Sequence, residues 1–233
     1  MTLVTPAVLP SSRYDLTEKL NRFTTVPSIT RIQIDVVDGR FASPMSWPYT
    51  APNDIPAMTS AREMLPHLDR IEYEIDLMCL DAERATETWL SLGASRLTFH
   101  AESILDLSKF LTSMRKRYGD VSATFGVALN VTSDLSLIEP HLEQIEYVQF
   151  MGIASIGKQG QPFDRRVLEK IRVFHKQHPD VTMQVDGGVT LASARELVAL
   201  GVSNLIVGSA LARAADIGRE VEKFETLQTP FGV

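Results

Sequence analysis

Apolar and polar residues alternate through the stretch RIQIDVV, with Ile32, Ile34 and Val36 on one side and Gln33, Asp35 and Val37 on the other. That is the pattern of a strand, and Asp35 lies in its interior. An acid held there must find a partner, a metal or a chemical task. The alternation returns over Ile71–Met78, where Tyr73, Ile75 and Leu77 face away from Glu72, Glu74, Asp76 and Met78, so a second acidic inward face is predicted. Further strands are predicted over Thr2–Leu9, Arg96–His100, Ala123–Asn130, Tyr147–Met151, Thr182–Asp186 and Asn204–Val207. Helical spacing lies between them: through Leu16, Leu20 and Phe23, over Ala57–Leu65, and over Asp81–Leu92 with a stop at Gly93. It continues from a Ser103 cap to Tyr118 and Gly119, then over Leu135–Leu142, Arg165–Gln177, Ala192–Leu200 and Ala210–Phe224.

Strand and helix thus alternate about eight times with no break in composition, the pattern of an α/β protein with a closed parallel sheet. The prediction is one (β/α)8 TIM barrel domain over residues 1–233, with an open doubly wound sheet as the alternative. Barrels of this kind carry their chemistry where strands end and the following loops begin. Asp35, Asp76, Asn130 and Asp186 all fall at or near such ends. The loop after the second strand, with Pro44, Pro48, Pro52, Trp47 and Tyr49, is too long for a plain connector. It reads as a binding loop whose aromatics cover the pocket or serve as packing.

Composition narrows the class. An apolar fraction of 44% and a charged fraction of 22% are ordinary for a soluble domain, and no apolar run approaches a bilayer's thickness. The formal charge of -6, without a basic tract, argues against nucleic acid as a partner. The N-terminus lacks the basic and apolar regions of a secretory signal, and Cys79 is the only cysteine, so a reducing cytoplasmic setting is expected.

Two turns point to an anion. Asp186-Gly187-Gly188 closes the seventh strand, and Val207-Gly208-Ser209 closes the eighth just before a helix. Glycines let backbone amides approach a ligand, and the loops after strands seven and eight commonly build a phosphate site. The loop GIASIGKQGQPF, with Gly157 and Gly160, either covers that same phosphate or is a mobile connector.

In order along the chain, IDVVDGRF, the DLM of Asp76–Met78, FHAES, GVALN, GQPF, VDGGV and VGSAL resemble the ribulose-phosphate 3-epimerase family. The resemblance implies epimerisation of a ketopentose phosphate at C3 through an enediolate, with Asp35 and Asp186 as the two proton-transfer groups. It also implies a small phosphorylated sugar as ligand and an assembly of identical chains. Family metal ligands are the two aspartates and two histidines, and the histidine positions correspond to Gln33 and Asp76 here. A nitrogen-rich Zn²⁺ site thereby becomes an all-oxygen set of Asp35, Asp76, Asp186 and Gln33, better suited to Mg²⁺ or Mn²⁺ if a metal binds at all. Val37 replaces a family methionine, and Pro10 stands where a serine is expected, with Ser11 and Ser12 just beyond. The strand-six loop is one residue longer than the usual version. Three accounts of the converging carboxylates stay open: a hard cation neutralises them, one stays protonated, or Asp76 joins a structural network. His100 is expected to be a hydrogen-bonded core residue. The functional alternatives are a phosphosugar binder that has lost epimerisation, and a lyase, whose expected lysine is Val37 here.

Overall fold

The computed structural model describes residues 3–119 and 123–228. Eight strands form a closed barrel in sequence order, each parallel to the next: β1 (Val4–Val8), β2 (Arg31–Val37), β3 (Glu72–Met78), β4 (Arg96–His100), β5 (Thr124–Leu129), β6 (Tyr147–Met151), β7 (Met183–Asp186) and β8 (Asn204–Val207). Pairing of Val4, Thr5 and Pro6 with Leu205, Ile206 and Val207 closes the ring. This excludes the open sheet. The helices are α1 (Arg13–Thr24), α2 (Asp54–Ser60), α3 (Ala82–Ser91), α4 (Leu107–Tyr118), α5 (Arg166–Gln177), α6 (Leu191–Ala199), α7 (Ser209–Ala212) and α8 (Ile217–Glu225).

The outward residues of the strands, such as Ile32, Ile34, Val36, Ile75 and Leu77, are buried beneath the helices' apolar stripes, among them Leu16, Leu20 and Phe23 of α1. Most of the apolar core is therefore the layer between strands and helices. The inside of the barrel is largely polar. Glu74 pairs with Arg96 at 2.9 Å, with side-chain exposures of 0% and 12%, and the guanidinium lies 4.1 Å from the centroid of the Tyr147 ring. Thr98, Tyr147 and Gln184 all donate to the other Glu74 oxygen. From Gln184 the ladder continues to Gln149 at 2.7 Å, while Asn204 donates to Gln184 at 3.1 Å and Thr5 donates to Asn204 at 3.0 Å. So much buried polarity is tolerable because nearly every group has a partner.

Several elements differ from the sequence reading. The helix expected over Ala57–Leu65 begins three residues earlier, since Pro56 falls in the first turn, where its missing N–H costs nothing, and the chain turns at Arg62 with φ 55°. Asp106, not Ser103, caps α4 by accepting from the Lys109 amide at 2.9 Å. Ser103 instead donates to the His100 carbonyl from a 3₁₀ turn. Leu135–Leu142 forms two 3₁₀ segments, broken at Ile138 and with Pro140 near the start of the second. The last helix is split, because Asp216 caps a new start at α8. Thr2, the expected start of the first strand, lies outside the described residues.

If the ladder rests on the Glu74–Arg96 pair, Arg96→Met should destabilise the protein by about 3–5 kcal/mol, because it strands a buried carboxylate. Urea denaturation of Arg96→Met and of the Glu74→Gln, Arg96→Met double variant is the check. The double variant is expected to recover much of the loss, and a single variant within about 1 kcal/mol of the parent would contradict the assignment.

Candidate active site

Asp35 and Asp76 are register partners on neighbouring strands, and Asp186 ends β7 on the other side of β1 and β8. Barrel closure brings one carboxylate oxygen of each to within 4.8 Å of the others. Gln33, two residues below Asp35, donates both amide hydrogens upward: Nε2 lies 2.8 Å from Asp35 and 2.9 Å from Asp186. Asp76 is held separately, with His100 Nε2 at 2.9 Å on one oxygen and Gln149 Nε2 at 3.2 Å on the other. His100 is fully buried, packs against Phe41 at 5.3 Å, and leaves Nδ1 without a partner.

Protonation follows from these contacts. Burial, then the charges of Asp186 and Asp76, push the Asp35 carboxyl well above its usual range, against the opposing hydrogen bonds of Gln33 and Gln159. Asp186 is pushed up to about 8, by burial first and by Asp76 second. The two are coupled, and both are held toward their protonated forms near neutral pH. Burial opposes charge on His100, but the adjacent Asp76 carboxylate outweighs it and raises the imidazole pKa. Asp76 thus has an imidazole partner whose charged form it favours, whereas Asp35 and Asp186 are bridged by the Gln33 amide.

Beside the carboxylates, Gly187 and Gly188 turn the chain out of β7 with φ values of 101° and 67°. A side chain at Gly188 would meet the backbone of Phe163 at 2.7 Å, so the strand-six loop seats directly on this turn. Asp35, Asp186, Gly187, Gly188, Gly208 and Ser209 line one cavity. Gly157 and Gly160 enclose it from the strand-six loop. The predicted phosphate residues and the two predicted catalytic aspartates are therefore brought together. One correction applies: α7 is a single turn of four residues, so an anion here would be met by loop amides and not by the dipole of a full helix.

The donor set suits a divalent cation in number and kind. Three carboxylates converge, and the Gln33 Oε1 is buried with no partner. Gln33 faces the carboxylates with nitrogen and not with the oxygen expected of a ligand. Rotating its amide by half a turn would bring the orphaned oxygen among them and complete an all-oxygen set, the kind hard cations take. The residues fit such an ion.

Other candidates lie elsewhere. Trp47 does not cover the pocket; it is fully buried, donates to Asp54 at 2.8 Å and packs on Trp89. Tyr49 hydrogen-bonds Cys79, whose thiol burial pushes up to about 12, leaving it inert. The Asn130 side chain bonds the next amide, and Ser12 caps α1, so neither enters the cavity. The residues missed were Gln149, readable in the alternation Tyr147-Gln149-Met151, and Gln159, which no sequence signal distinguished from its loop.

Comparisons with known proteins bear on the fold and the family of the chain. A ribulose-phosphate 3-epimerase from Aquifex aeolicus (strain VF5) is 26% identical over 97% of this chain and 97% of its own length. The ribulose-5-phosphate-3-epimerase of Arabidopsis thaliana chloroplasts is 26% identical over 99% of this chain and 79% of its own. Among solved structures, 3-hexulose-6-phosphate synthase from Salmonella typhimurium superposes with a TM-score of 0.67 at 15% identity, covering 96% of this chain and 97% of the synthase. That likeness concerns the fold. Because the sequence pattern described as the Ribulose-phosphate 3 epimerase family matches residues 3–212, most of the barrel, the chain belongs to that family.

Proposed function

We propose that the chain epimerises a ketopentose phosphate at C3, ribulose 5-phosphate to xylulose 5-phosphate, with Asp35 and Asp186 moving the proton. The observation that carries this reading is the amide-bridged pair of carboxylates, one from β2 and one from β7, beside a wall of glycine turns. Inversion needs a base to remove a proton and an acid to deliver one. Both carboxyls are held toward their protonated forms, and loss of one proton from the pair leaves one base and one acid. Asp76, held by His100 and Gln149, lies close to the pair, and its carboxylate is among the causes that raise both pKa values.

Amides at Gly187, Gly188, Gly208 and Ser209 would bind the phosphate, with Gly157 and Gly160 closing over it. Fixing the phosphate end sets the carbon to be inverted against the carboxylates. Asp35, Asp76, Asp186 and the Gln33 oxygen would hold Mg²⁺ or Mn²⁺, which when bound supplies electrostatic stabilisation of developing negative charge. The lone buried thiol fits the cytoplasm, and no described helix is long and apolar enough to cross a membrane. The second reading, a phosphosugar binder without epimerisation, draws support from Gln33, whose NH₂ already spans the two carboxylates. Val37 is packed with Ala42 and Met78 and offers no amine, which counts against a lyase.

Proton exchange at C3 of ribulose 5-phosphate in D₂O, followed by NMR with Mg²⁺, Mn²⁺ or EDTA, separates the readings. Deuterium uptake with appearance of xylulose 5-phosphate supports the epimerase; a bound sugar without uptake supports the binder. Asp186→Asn is expected to lower turnover by about 10²–10⁴-fold while the sugar phosphate still binds. Lost binding with turnover preserved would refute the assigned roles.

Stability against pH gives an independent check. Asp186 titrates near 8 in the fold, against about 3.9 in an unfolded chain, so between these values the folded state holds the extra proton. Its contribution to stability must then fall as pH rises from about 4 to about 8, and level off beyond. Asp35 acts in the same direction. A cation that favours the ionised carboxylates should therefore raise the melting temperature more at about pH 8.5 than at about pH 5. Equal shifts at both would place any bound cation elsewhere.

A further inference from the structure

The turn after β8 carries a side-chain arrangement that the proton transfer does not use. Gly208 and Ser209 line the cavity, which is partly open to solvent, together with Asp35 and Asp186. A phosphate brought there meets two acidic groups, on a chain whose formal charge is already -6. The four residues of α7 offer no full helix dipole to offset them. Lys158 also lines the cavity, but it is exposed, and no hydrogen bond or ion pair among the described residues fixes its ammonium.

Arg213, the residue that ends α7, reaches back to this turn. Its Nη2 donates to the Ser209 hydroxyl at 3.1 Å, and its Nε donates to the Ser209 carbonyl at 3.1 Å. A planar guanidinium gripping one residue at two points holds the Ser209 side chain in a single rotamer. No acid among the described residues pairs with Arg213. The direction of the contact decides what Ser209 can do. A guanidinium only donates, and a hydroxyl has one hydrogen to give, so Oγ accepts from Arg213 and keeps its own O–H for another acceptor. Among the described residues none takes it.

Resting on the reading of this cavity as a phosphosugar site, we propose that Arg213 is a positioning residue for the phosphate, holding the Ser209 hydroxyl as a hydrogen-bond donor toward it. A charged donor on Oγ polarises the hydroxyl and strengthens the bond that it gives. Direct attraction between Arg213 and the anion is the smaller effect, because the side chain is exposed and water and salt screen its charge. The contribution of Arg213 is therefore carried by the Ser209 Oγ, and it acts on the phosphate end of a ligand whatever sugar is attached.

The test is a double-mutant cycle on the full chain. The parent, Arg213→Ala, Ser209→Ala and the double variant are titrated calorimetrically with inorganic phosphate and with ribitol 5-phosphate, a polyol phosphate that has no ketone to epimerise. Arg213→Ala is expected to weaken both ligands by about tenfold, the scale of one charge-assisted hydrogen bond, and by the same factor because both present the same anion. In the Ser209→Ala background the same substitution should cost less than about twofold, since the group that Arg213 orients is gone. Equal losses with and without the hydroxyl overturn the proposal, because they mean that Arg213 acts on the anion directly or only supports the α7 backbone. A loss confined to ribitol 5-phosphate overturns it as well, by placing Arg213 at the sugar. If the parent binds both ligands and Arg213→Ala binds them unchanged, the proposal fails while the phosphate reading stands. If the parent binds neither ligand, the phosphate reading fails and the proposal with it.

Discussion

Three carboxylates within 4.8 Å of one another at the mouth of a closed barrel set the terms for everything around them. Buried like charges at that spacing repel strongly, so the fold must hold a proton, recruit positive charge or bind a cation. It uses the first two directly. Asp35 and Asp186 are both held toward their protonated forms and share the Gln33 amide, while Asp76 faces His100. The third remains open to it through the unpartnered Gln33 oxygen.

The remainder of the barrel interior follows the same logic one layer down. Glu74 is matched by Arg96 and by donors from β4, β6 and β7, and the Gln149–Gln184–Asn204 ladder links this lower acid to the upper ones. Gln149 joins both layers, since it donates to Asp76 and accepts from Gln184. Such a network fixes side-chain positions tightly, because each lost bond would leave a buried polar group unsatisfied. Rigidity below the mouth contrasts with the loop above it, whose crest rests on its neighbour loop and on the Gln159 amide.

Gln33 and Asp76, at positions where the family resemblance implies histidines, shape the electrostatics of the site more than its architecture. Seen from the glycine turns, the site offers backbone amides of the kind the proposed phosphate would need. Seen from the carboxylates, the Gln33 amide and the Asp76 carboxyl stand beside Asp35 and Asp186, whose acidity is unusually weak. A cation and a proton then compete for the same oxygens.

Much of this was legible in the chain itself. Strict alternation along β2 and β3 fixed which side chains point inward, because the strand repeat is two residues and a slip would expose the apolar set. The eightfold recurrence of strand and helix implied the closed barrel, and Asp35, Asp186, Gly187, Gly188, Gly208 and Ser209 were readable as strand-end residues. Helix boundaries around Pro56, Ser103 and Asp216 were less so, since several residues near each could cap or start a helix and packing chose among them. What only the tertiary structure decided are the contacts that closure makes between distant strands: Gln33 with Asp186, Gln149 with Asp76, and Gln159 with Ala7. Periodicity says which face a residue takes but not which residues across the barrel share its height or which atom of an amide faces them. Those follow from strand stagger and from the demand that each buried charge be compensated.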